Sequence, residues 1–212
     1  MERSLSEVCG PSDIVTRDPC QAPIARNYDR PVPVLREILG TYEPIRIARS
    51  VRDWRKRPAF YSHVDAYVAR ARLGKKTWDS YFKFCFERNP WDKCVSFYYW
   101  LYRNQQNPVS FAEHFKRTYV FRDRYIPSDW WRYTIGNNLA VDFVGKFENK
   151  EADFKAALSN VGLTVELSHA EKTGTRPKST RNLRDLYTPE LIDLVAKYFA
   201  REIRTFGYEF PG

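Results

Sequence analysis

The stretch YFKFCFERNPWDKCVSFYYW, Tyr81–Trp100, decides how the rest of the chain is read. It opens on an alternating aromatic run, Phe82-Lys83-Phe84-Cys85-Phe86, a composition that favours a strand. Glu87-Arg88-Asn89-Pro90 breaks that run. Pro90 suits the first turn of a helix, where its missing N–H has no partner to lose. Trp91, Cys94, Val95 and Tyr98 then recur at helical spacing and predict a helix over Asp92–Leu101. The unit is strand, polar turn, helix, with Arg88 at the end of the strand and Ser96 further along the helix. A helix N-terminus beside an arginine suits a bound phosphate or sulfate group.

Upstream, turn-like Cys9-Gly10-Pro11-Ser12-Asp13, Asp18-Pro19-Cys20 and three further prolines predict an irregular arm over residues 1–43. Within it, Val34–Leu39 reads as a short helix stopped by Gly40. Pro44–Ala48 alternates like an edge strand. Val51–Pro58, VRDWRKRP, is a basic cluster that reads as a solvated turn or as a patch facing phosphate or substrate. Ala59–Gly74 reads as a helix preceded by or containing His63, with Val64, Tyr67, Val68 and Ala71 as its apolar stripe and Gly74 as its stop.

Downstream, Ser110 with Glu113 three residues on has the form of a capping box over a helix at Phe111–Tyr119. Arg117–Arg132 reads as a long loop or broken helix. Ala140–Val144 reads as a strand, Gly145 as a bend, and Asn149–Gly162 as an amphipathic helix with Phe154, Ala157, Leu158 and Val161 inward. Ser168–Tyr187 is a basic loop carrying His169, Lys172, Arg176, Lys178, Arg181 and Arg184. Thr188-Pro189 caps and starts a last helix whose stripe is Leu191, Leu194, Val195, Tyr198 and Phe199. The closing Phe206-Gly207-Tyr208-Glu209-Phe210 is expected to pack on a sheet.

These motifs together resemble the sulfotransferases that use 3'-phosphoadenosine 5'-phosphosulfate (PAPS), above all the carbohydrate-type enzymes. The family pattern is an aromatic strand, Arg-Asn-Pro-aromatic-Asp-Arg, then Val-Ser-x-Tyr. Here it reads Arg88-Asn89-Pro90-Trp91-Asp92-Lys93 and Val95-Ser96-Phe97-Tyr98. Leu73-Gly74, Trp78, the Asp142–Asn149 segment DFVGKFEN and the aromatic close are also similar, so the resemblance spans roughly residues 61–210.

The resemblance implies a three-layer α/β fold of the P-loop-kinase type, a mostly parallel sheet flanked by helices, over residues 44–212 with an atypical N-terminal part. It implies PAPS as cofactor and PAP, the desulfated product, as its remnant. It places Arg88 and Ser96 on the 3'-phosphate. Arg49, Arg176 and Arg184 are further candidates for the nucleotide. His63, Glu148 and Lys172 are candidates for the transfer chemistry. His63 is the first choice of base because histidine titrates near neutrality. Glu148 is alternatively a structural group or an orienter of Arg88. The basic loop has the position of a segment that closes over the nucleotide.

One family element has no counterpart. The expected first strand ends in Pro-Lys-x-Gly-x-Thr/Ser, whose amides and lysine cradle the 5'-phosphosulfate. Nothing before His63 matches it, and Lys172-Thr173-Gly174-Thr175 resembles it only superficially, in the wrong part of the chain. A rebuilt site using Arg49, Arg52 or Lys172, a chain without its first βα unit, and a binding protein without transfer activity all remain open.

Composition narrows the partners. The 212-residue chain carries 35 Lys and Arg against 26 Asp and Glu, a formal charge of +9, which favours an anionic ligand. The expected partners are an anionic nucleotide and a hydroxyl- or amine-bearing acceptor. Nucleic acid is the weaker reading, since no zinc-finger spacing or RNA-binding aromatic signature is present. The four cysteines and three histidines are not spaced for metal. Cys9 and Cys20 are placed to close a loop only under oxidising conditions. No apolar run reaches membrane length and the first residues lack a signal-peptide core, so a cytoplasmic protein is expected. Assembly is open, a homodimer included.

Overall fold

The structure is a computed structural model, and it describes residues 2–16, 25–28, 60–120, 128–167, 176–177 and 182–211. The expected Val34–Leu39 helix, the Pro44–Ala48 strand, the Val51–Pro58 cluster, Cys20, Arg49, Arg52 and Lys172 lie outside these residues. In chain order the elements are α1 (Glu2–Ser6), α2 (Ala66–Leu73), α3 (Lys75–Ser80), β1 (Phe84–Glu87), α4 (Pro90–Leu101) and α5 (Phe111–Phe115). After α5 come α6 (Trp130–Tyr133), β2 (Thr134–Ile135), β3 (Asn138–Leu139), β4 (Phe143–Lys146), α7 (Lys150–Ser159), α8 (Pro189–Tyr198) and α9 (Ala200–Phe206).

This corrects the expected fold class. Helix takes 50% of the described residues and strand 9%. Among them there are two two-stranded sheets, β1 with β4 and β2 with β3, the latter antiparallel. A mostly parallel sheet of a three-layer fold needs several strands joined by helical crossovers. Here β1 and β4 are four residues each. Pro90 ends the first, because helix begins there, and the 3-10 turn Phe147–Asn149 ends the second. Gly145 lies buried inside β4 rather than at a bend.

The chain divides into two compact units. The first comprises Met1–Cys85, Trp130–Gly145 and Glu151–His169. In it α2 buries Ala66, Tyr67, Val68 and Ala71 and packs on α6 and β2. Its stop is Gly74, at φ 83°, a backbone that side chains rarely adopt. The segment after it forms α3, which the apolar pattern did not announce. Phe84 meets Phe154 of α7 at 6.4 Å between ring centroids, and Phe154, Ala157 and Leu158 are buried as expected, whereas Val161 is exposed. The predicted strand at Ala140 begins later, because Ala140 N–H donates to Tyr133 O and the N–H groups of Asp142 and Phe143 both donate to Lys83 O. Asp142 also accepts from Lys83 N–H at 2.7 Å and pairs with its ammonium, contacts that hold its carboxyl below the usual carboxylate range.

The second unit comprises Phe86–Asp129, Lys146–Lys150 and Ala170–Gly212, and it holds a buried hydrophobic core. Three helix starts follow directly from sequence. Asn89 caps α4 by accepting from Trp91 N–H at 3.2 Å, with Pro90 in the first turn. Ser110 accepts from Glu113 N–H at 3.2 Å at the start of α5. Thr188 accepts from Leu191 N–H at 3.4 Å at the start of α8. Trp91, Cys94, Val95 and Tyr98 face inward along α4 and meet Leu191 and Val195 of α8 and Phe111 and Phe115 of α5. Two buried polar tips in this core find backbone partners: Tyr187 OH donates to Trp91 O at 2.9 Å, and Tyr98 OH to Val109 O at 2.7 Å. Burial, with Cys94 and Asp92 nearby, pushes the Tyr187 phenol far up, so it stays a neutral donor. Helix α5 runs on into a π-helical turn at Lys116–Val120.

Of the closing aromatics, Tyr208 lies under the ammonium of Lys146 in β4, 5.2 Å from its ring centroid, while Phe210 docks elsewhere. Phe210 lies edge-on to Trp91 at 5.8 Å and to Tyr187 at 5.5 Å. Gly207, at φ 63°, turns the chain out of α9 to allow this.

Candidate functional site

The polar turn between β1 and α4 is built from its own side chains. Glu87 Oε1 accepts from Arg88 N–H at 2.8 Å, and Glu148 Oε1 accepts from Asn89 N–H at 2.7 Å. Asn89 Oδ1 takes Trp91 N–H, and its amide donates to Glu209 O at 2.8 Å. The N–H groups of Arg88, Asn89 and Trp91, around the start of α4, are thus held by two carboxylates and an asparagine. Side chains flanking the turn offer further donors to an anion.

Those side chains are arginines. Arg88 Nε donates to Asp92 Oδ2 at 2.5 Å, its Nη2 pairs with the same oxygen, and its guanidinium lies 4.7 Å over the ring of Phe147. Asp92 Oδ1 accepts from Arg176 Nη1. One carboxylate therefore joins two guanidinium groups, one of them, Arg176, 84 residues beyond Asp92 in sequence. The three side chains are 24%, 23% and 19% exposed for Arg88, Asp92 and Arg176, so the interactions are only partly screened. Asp92 thus faces two guanidinium groups at once. Asp92 uses the Nε and Nη2 edge of Arg88, which leaves the Nη1 edge of its fork for a further acceptor. Ser96 is half-buried one turn on from Asp92, at the i, i+4 position of the same helix face.

The other candidates are placed differently. Glu148 is engaged with Asn89 N–H, so it holds the turn. His63 is an exposed residue of the first unit at φ 63°. Arg184 is exposed in the 3-10 turn Leu183–Asp185.

Beneath the turn lies a charged cluster that the sequence reading missed. The Lys93 ammonium pairs with Glu87 and, at 3.1 Å, with Asp129 Oδ2. Glu202 of α9 is 2% exposed and accepts from Ser128 Oγ at 3.0 Å. Burial pulls the Lys93 ammonium down, but Glu87 and Asp129 more than offset it, so its pKa is raised. The Glu202 carboxyl is pushed up, chiefly by burial and further by Glu87. A signal was present: Glu202 follows the buried Phe199 at helical spacing on the inward side of α9, where an unpaired carboxylate is costly.

This has a measurable consequence. A carboxyl with a raised pKa binds its proton more tightly folded than unfolded, so stability falls as pH rises from the ordinary carboxylate range through the raised value. Glu202→Gln keeps the acceptor for Ser128 and removes the titration. The urea midpoint of the wild type should fall relative to that of the variant across this window; parallel pH profiles would refute the assignment.

The sequence model described as the sulfotransferase family matches residues 46–209. The chain belongs to the sulfotransferase family. An uncharacterized protein of Archaeoglobus fulgidus is 40% identical over 108 residues, covering 49% of this chain and 87% of that protein. No solved structure matches. In this sulfotransferase-family chain, Arg88 and Arg176, two residues singled out for the nucleotide, share one carboxylate. Among the described residues no helix is long and apolar enough to cross a membrane, and no group of His, Cys, Asp and Glu is arranged to hold a metal.

Proposed function

We propose that this protein transfers a sulfuryl group from PAPS to a hydroxyl or amine acceptor, with Arg88, Arg176 and Ser96 holding the nucleotide's 3'-phosphate. The observation that carries the reading is the pairing of two arginines on Asp92 inside the stretch that matches the family. A phosphate dianion suits the forked donors of the two guanidinium groups. PAPS, when bound, supplies the sulfuryl group. The residues here bind and orient the nucleotide through their side chains. Lys172, Arg49 and Arg184 are proposed to meet the remaining phosphate charge.

The test is calorimetric binding of PAP against 5'-AMP. PAP should bind at least tenfold more tightly, and Arg88→Ala should remove most of that preference, an effect on the order of 2–3 kcal/mol for one charge-assisted fork. Equal affinity for the two nucleotides would sink the cofactor assignment. The missing phosphosulfate loop favours a second reading, nucleotide binding without transfer. Radiolabelled PAPS separates the two: PAP-selective binding with no label passed to any hydroxyl or amine acceptor supports the second.

A further inference from the structure

We propose that Asp92 is a positioning residue that assembles Arg88 and Arg176 into one two-guanidinium receptor for the 3'-phosphate. This rests on the nucleotide reading above. Two guanidinium groups brought side by side repel each other, and the repulsion is not fully screened at sites about a fifth to a quarter exposed. Asp92 removes that obstacle by giving one oxygen to each arginine. Arg88 is fixed twice more, by its stack on Phe147 and by the bond from its own N–H to Glu87. Arg176 comes from a distant segment, and Asp92 is the group on α4 that receives it. Preorganisation of this kind lowers the ordering cost of binding.

A competing role is open to the same carboxylate. It is itself an anion seated on both arginines, so it could act as an internal competitor that phosphate must displace. The two roles differ in sign. Positioning requires that loss of the Asp92 charge weaken PAP binding; competition requires that it tighten PAP binding.

The experiment is a double-mutant cycle on the full chain, read by PAP and 5'-AMP titration. Asp92→Asn and Arg176→Ala are each expected to weaken PAP about tenfold and to leave 5'-AMP unchanged. Their combination should be no weaker than either alone, because Asp92 acts through Arg176. Asp92→Glu should recover part of the affinity, and circular dichroism should match the wild type throughout. Tighter PAP binding by Asp92→Asn, additive losses, or an Arg176→Ala variant of wild-type affinity would each overturn the inference. If wild-type protein shows no preference for PAP, the nucleotide reading itself fails, a result distinct from these three.

Discussion

Lys93→Met is expected to cost the folded protein about 3–5 kcal/mol, the range found when one partner of a buried ion pair is removed. Lys93 presents 11% of its side chain to solvent and Glu87 presents 1%. Asp129, at 42%, can return to water when its partner goes. Glu202 accepts from Ser128 Oγ, and burial raises its pKa. The damage therefore falls on Glu87, which must also keep its bond to Arg88 N–H. Methionine fills the same channel, so the loss measures charge and not a cavity. Adding Glu87→Gln should restore most of the stability, because an apolar or neutral replacement of both partners is often close to neutral. The single variant should lose less as pH falls, where a proton can replace the ammonium. Urea unfolding at several pH values reads all three expectations. A loss below about 1 kcal/mol at neutral pH, the value of an exposed pair, would show that Lys93 and Glu87 are solvated.

What could be read from sequence was local. Ser110, Thr188 and Pro90 were legible because a cap or a first-turn proline acts within four residues of itself. The stripes of α4 and α8 were legible because helical spacing alone selects the buried face. The extent of the sheet was not. It was inferred from resemblance, and the strand-forming aromatics at Phe82–Phe86 propose a strand without saying how many partners it finds. The candidate site shows the same division. Arg88 stands in a recognisable motif, but its partner Arg176 and the groups that close the turn, Glu148 and Glu209, are each separated from it by dozens of residues. Lys93 was legible only as a substitution for the family's arginine. Its burial against Glu87 depends on packing that no local pattern encodes.

Phe199→Ala should be comparably severe, at about 3–5 kcal/mol. Phe199 is 0% exposed and sits at the joint between α8 and α9. Its N–H donates to Val195 O and its carbonyl accepts from Ile203 N–H, both at 2.9 Å, so the backbone is tied to both helices. Its ring belongs to the core with Trp91, Val95, Leu191 and Val195. Two effects of the substitution oppose each other. Alanine favours helix over phenylalanine by under about 1 kcal/mol, which would tend to fuse α8 and α9 through the joint. The cavity left by the ring costs several times more, since surrounding side chains relax only partly into it. The net effect is therefore a loss. Phe199→Leu refills most of the volume and should cost under about 1.5 kcal/mol. Thermal and urea unfolding of the pair give the comparison directly. If alanine and leucine cost the same, the ring is not seated in a packed core, and the helix-on-helix arrangement of the second unit loses its central support.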